Sequence, residues 1–259
     1  MRLTEYERSV QRDIEKWQHG DASLVAQAMN WAMAPMDWVI ERVVPDEVID
    51  QVDRSISKFL SLLNEGSTWT YDPIEVLKSA KARGVDVKTI ADLQSADLAT
   101  LDGLSKSYFS ENAIMAAVEG GGTGLGGAVL IAADIPLLFG INLRLIQQIG
   151  AAYGFDVSGP AHGPLVLSIF NVAASGSRES KNASLREITV AAAALAHSSD
   201  YKGRVSGTFR DQNRHLPREI AKNIGGRKIA QMIPIAGAAI GAGINYWFTT
   251  ETAETAFML

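Results

Sequence analysis

Cysteine is absent from the 259 residues of this chain. That excludes disulfides, thiol nucleophiles and Cys-ligated zinc or iron–sulfur centres, and it fits a reducing compartment. Histidine is scarce: His19, His162, His197 and His215 are scattered without H-E-x-x-H spacing, and no G-x-S-x-G marks a serine nucleophile. The literal G-x-G-x-x-G at Gly122, Gly124 and Gly127 follows the helix-like SENAIMAAVE rather than a strand, and no G-K-[ST] ends it. It therefore reads as helix packing, not as a dinucleotide or phosphate loop. No metal and no cofactor are expected. The start MRLTEYERSVQRDIEKWQ has no uninterrupted apolar stretch of the secretory kind. Cytoplasmic residence is the expectation, with the inner face of the membrane as the place of association. Strand-like alternation is also missing; residues 84–88 come nearest and are too few.

What is present is helical. Hydrophobic residues make up 47% of the chain, ample for a core. Tyr6, Val10, Ile14 and Trp17 fall at spacings of four, four and three, an amphipathic stripe suited to an apolar partner surface. Asp21 or Ser23 can cap a second helix that Pro35 ends or kinks, and Asp72-Pro73 opens one that stops at Gly84. An apolar helix is predicted from Ser105. Asp134-Ile135-Pro136 is read as a helix restart, with an end near Gly154, and Pro160, Gly163 and Pro164 as a loop. The predicted fold is all-α: one multi-helix domain over 1–259, with N-terminal amphipathic helices in 1–70 and a core in 71–259 holding two glycine-rich apolar helices.

Gly120, Gly124, Ala128 and Ala132 recur every fourth residue, and Gly237 and Gly241 make a second small-residue face. Glycine costs about 1 kcal/mol against alanine in a helix, so such faces call for close helix contact. The uncharged run 120–133 is too short to cross a bilayer. The run 229–250 is long enough, but it contains Gln231, Pro234 and Asn245. Core helix is its first reading, ahead of conditional lipid contact and of a span.

Isolated polar residues stand among these apolar helices: Glu119, Asp134, Arg144, Gln147, Gln148, Tyr153, Asp156 and Asn245. If Arg144 pairs with Asp134 or Glu119, the group fixes helix register. If two carboxylates converge without an arginine, they form an acid/base or metal site. Catalytic candidates are then Glu119, Asp134, Asp156 and His162, the last presented by a Gly/Pro-rich loop.

Several of these elements occur together in a known family. The Glu-Gly-rich run from Glu119, Asp134-Ile135-Pro136, Arg144, Tyr153-Gly154-Phe155-Asp156, Tyr71-Asp72-Pro73 and the closing IPIAGAAIGAGINYWF make the chain resemble the EcsC family over most of its length. The resemblance implies an architecture and assigns no catalytic role.

Net charge is −5, yet residues 201–228 hold eight basic residues against two acidic ones. Lys202, Arg204, Arg210, Arg214 and Arg218 are candidates for anionic lipid, each worth about 1 kcal/mol near a charged surface. With only Tyr201 and Phe209 for stacking, nucleic acid is not expected as a partner. Together with Trp31, Trp38 and Trp247 in apolar stretches, this favours a non-enzymatic protein at an anionic membrane surface or on a membrane protein. The rival is a hydrolase of lipid-like or peptide substrates built on the carboxylate group.

Overall fold

Helix ends follow local side-chain chemistry. At the start of α1 (Glu5–His19), the Thr4 hydroxyl accepts the Glu7 N–H at 3.2 Å while the Thr4 N–H donates to Glu7 Oε2 at 2.6 Å. This reciprocal box satisfies two donors that the first turn would otherwise leave unpaired. Ser23, rather than Asp21, caps α2 (Leu24–Met33), accepting the Ala26 N–H at 3.0 Å. After α3 (Asp46–Leu62), Asp72 caps α4 (Pro73–Ala82) through the Ile74 N–H at 2.8 Å. Gly84 ends α4 at φ +84°, where the Val85 N–H reaches the Ala80 carbonyl at 3.1 Å. Only glycine enters that left-handed region without steric cost.

The computed structural model describes residues 3–21, 23–34, 46–62, 71–123, 127–157, 162–175, 177–197, 220, 224–230 and 237–259. Among them there is no strand, and the protein is all-α. A 3-10 turn (Ala91–Ser95) leads into α5 (Leu98–Thr123), which starts ahead of the expected Ser105 because Asp97 accepts the Thr100 N–H at 2.9 Å. α6 (Gly127–Ala152) runs through Asp134-Ile135-Pro136 without a restart. Pro136 forfeits one backbone bond, but buried Ile135, Leu138 and Phe139 hold the helix in the core. α6 stops as expected at Gly154, also at φ +84°. α7 (Gly163–Ala173) includes Gly163 and Pro164, assigned above to a loop; a proline in the first turn has no N–H to lose there. α8 (Arg178–His197), a helical turn at 224–229 and α9 (Gly237–Met258) complete the order.

α5, α6 and α9 pack on one another at the centre; α3 and α4 lie on α6, α2 and α7 on α9, and α8 on α7. Phe139 of α6 anchors the core, with Phe170 of α7 at 5.2 Å, Phe248 of α9 at 5.4 Å and Phe59 of α3 at 5.5 Å between ring centroids. Ile244, Trp247 and Phe248 are fully buried, so the described part of 229–250 is core helix. One described segment, Asp134–Ala152, is long and apolar enough to cross a membrane, and 67% of it is buried inside the bundle.

The every-fourth small-residue series does not share one helix, since α5 ends at Thr123 and α6 begins at Gly127. Gly124 lies outside the described residues, and Gly237 opens α9. Gly120 is where backbones meet: a Cβ there would sit 2.5 Å from the Gly241 carbonyl oxygen and 2.6 Å from Asn245 Cγ. Gly120→Ala must push α9 away and is expected to cost about 1–3 kcal/mol. Gly122 has nothing within 4 Å of such an atom, and Gly122→Ala should raise stability by up to about 1 kcal/mol through helix propensity. Thermal melts of the two variants check this; equal shifts would contradict the close approach.

Candidate functional site

Four helical segments bring together a polar group in the apolar interior. Asp134 comes from α6, Asn245 from α9, Lys228 from the turn at 224–229, and Glu119 from α5. The Lys228 ammonium donates to Asp134 Oδ2 and to Asn245 Oδ1, and Asn245 Nδ2 donates to Asp134 Oδ1 at 3.1 Å. Asp134, Lys228 and Asn245 are all fully buried. The triangle closes: each oxygen of the carboxylate accepts one bond, and the amide both donates and accepts. Such satisfaction is what makes a buried ion pair tolerable, because each ion alone would carry a desolvation penalty of several kcal/mol.

Burial pushes the Lys228 ammonium below its usual range, and the adjacent Asp134 carboxylate opposes that. Glu119 is pushed up to about 7, by burial first and then by the Asp134 charge, with Lys228 pulling the other way. The group is thus one cation among two carboxylates, of which Glu119 takes up a proton near neutrality.

Arg144 is not the partner of Asp134. It lies ten residues further along α6, about 15 Å at helical rise, and its guanidinium donates to Asn112 Oδ1 at 3.1 Å and to Met115 Sδ at 3.5 Å. Asn112 in turn donates to Gln148 Oε1 at 3.1 Å, so Arg144 and Gln148 form an α5–α6 link of their own. Tyr153 belongs to a third set. It donates to Asp102 Oδ1 at 2.7 Å, and Tyr6 of α1 donates to Asp102 Oδ2 at 2.6 Å. Asp156 accepts from Tyr71 at 2.9 Å and is exposed. His162 stands at the start of α7 and, with Tyr153 and Asp156, borders a cavity under α1. The single polar cluster expected from sequence is therefore four separate sets, spread along α6 and the residues that follow it.

Lys228 was missed as a site residue because it sits among basic neighbours. The signal that could have found it is the apolar run beginning one residue later, at Ile229. Arg227 also turns inward, stacking on the Trp247 ring at 4.0 Å and donating to Asn30 Oδ1 at 2.7 Å. These two leave the charge count of 201–228, whose basic excess falls from six to four. Lys202, Arg204, Arg210, Arg214 and Arg218 lie outside the described residues. Among the described residues, no group of three or more His, Asp or Glu side chains could hold a metal ion.

The model of the EcsC protein family matches residues 8–259. The chain belongs to the EcsC family. It is 22% identical over 251 residues to the uncharacterized protein YdbA of Bacillus subtilis (strain 168), covering 96% of this chain and 89% of that one. It is 25% identical over 224 residues to protein EcsC of the same organism, covering 85% and 89%. No solved structure matches. In this EcsC-family chain, Asp134 of the Asp-Ile-Pro element and Asn245 of the closing run meet at one ion pair.

Two outcomes follow. Lys228→Met leaves Asp134 buried with an amide alone and should destabilise by about 3–5 kcal/mol, while Lys228→Met with Asp134→Leu should recover much of that; denaturant titrations of the three proteins measure it. For Glu119, the folded pKa of about 7 lies above the ordinary 4.5, so the folded state holds a proton that the unfolded state releases. Stability from this group is present at pH below about 4.5 and is lost as pH rises towards 7. Glu119→Gln should therefore melt higher than the parent at pH 8, with the difference closing at pH 4.

Proposed function

We propose that this EcsC-family protein is a non-catalytic helical protein that associates peripherally with the cytoplasmic face of a membrane. The observation that carries the reading is the outward face of α2, where Leu24 and Trp31, seven residues apart, are 82% and 83% exposed. Two large apolar side chains on one helix face favour an interface, and tryptophan in particular favours the headgroup level of a bilayer. Trp247 does not share this role, being fully buried beneath Arg227; Trp38 lies outside the described residues. The basic residues that remain in 201–228 supply attraction to anionic headgroups. A hydrolase built on the carboxylates finds less support: both Asp134 oxygens are engaged in a fully buried triangle, whereas a catalytic base needs access to substrate.

Co-sedimentation with phosphatidylglycerol vesicles tests the reading. Recovery should fall as salt rises, and should drop at least tenfold for Leu24→Ser with Trp31→Ser. It should fall several-fold when Arg210, Arg214 and Arg218 become Gln. Tryptophan emission should shift to the blue on vesicle addition in the parent and less in Trp31→Phe. Equal recovery of parent and the Leu24/Trp31 variant would overturn the proposal.

A further inference from the structure

α1 has no buried residue of its own, although it carries the apolar stripe Tyr6, Val10, Ile14 and Trp17. Polar contacts hold it at both ends. Near the first turn, Tyr6 donates to Asp102, a bond that with burial raises the phenol to about 12. At the last turn, the Lys181 ammonium donates to the Trp17 carbonyl at 2.6 Å and lies 4.1 Å from the centre of its ring. Between these two tethers is a cavity of about 750 Å³. Val10 and Ile14 form its roof, and Leu101, Ile149 and Leu165 are in its floor.

The size is that of a small-molecule site, which typically spans about 300–1,000 Å³ and is mostly apolar with few polar groups. Among the described residues that line it, the polar side chains are Gln94, Asp102, Tyr153, Asp156 and His162, and none is Lys or Arg. The two carboxylates among these lining residues, Asp102 and Asp156, repel an anionic head. Asp156 at the exposed rim accepts one bond, from Tyr71, and a carboxylate has further lone pairs for a ligand hydroxyl.

We infer that the cavity beneath α1 is a binding site for an uncharged single-chain amphiphile with a hydroxyl head, of the monoacylglycerol kind. The chain lies between Val10 and Leu165, and the head faces Asp156 and His162. α1 acts as the strap that closes over it. This site is independent of vesicle association, since it is filled by a monomeric ligand in solution.

The full-length protein titrated at pH 8 with 1-monopalmitoylglycerol and, separately, with palmitate, both below their aggregation concentrations, provides the test by calorimetry and native mass spectrometry. One monopalmitoylglycerol should bind per chain, and palmitate at least tenfold more weakly. Leu165→Trp fills the cavity from a partly exposed floor position, and Val10→Trp fills it from the roof; each should weaken binding at least tenfold with an unchanged far-UV spectrum. Asp156→Asn should narrow the preference for the glyceride over palmitate. Equal binding of palmitate, no binding of the glyceride, or indifference to both tryptophan variants would overturn the inference.

Discussion

The bundle depends on one buried ion pair. Lys228 and Asp134, fully enclosed and joined by Asn245, tie the turn at 224–229 to α6 and α9 in a single hydrogen-bonded triangle. The hydrophobic effect is non-directional, so by itself it does not name one register for the three central helices. An ion pair whose every bond is needed to offset desolvation permits one register.

That triangle explains the glycine at 120. Its missing side chain lets α5 approach α9 until the position faces the Gly241 carbonyl and Asn245, and Asn245 is thereby held against Asp134 rather than pushed aside. Small residues and buried polar residues are two parts of the same crossing. Glu119, one residue before Gly120, brings a second carboxylate to this crossing, where burial and then the Asp134 charge push it up to about 7 against the pull of Lys228. α1 has no buried residue, and Tyr6 and Lys181 tie it to the bundle near its two ends.

Local features were legible in the sequence. Ser23 and Asp72 as caps, Gly84 and Gly154 as helix ends, and the stripe on α1 all depend on bonds or contacts spanning a few residues. The restart at Asp134 was misread because proline weakens a helix locally, whereas burial of Ile135, Leu138 and Phe139 acts from other helices. Gly163-Pro164 was misread as loop for a related reason: the same pair suits a helix's first turn.

The polar site was half legible. Glu119, Asp134 and Asn245 stood out because charge and amide are conspicuous in apolar surroundings, but their cation did not, since Lys228 adjoins residues of its own sign and a charge count carries no direction. Arg144 was read as a partner for Asp134, yet the two lie ten residues apart on one helix, about 15 Å, and Arg144 meets Asn112 instead. Composition, periodicity and capping thus determined by themselves that this is an all-α chain with small-residue helix contacts and buried polar residues. Which cation meets Asp134, and which tryptophan faces solvent, were decided by tertiary structure alone, because pairing and burial depend on distances between segments far apart in the chain.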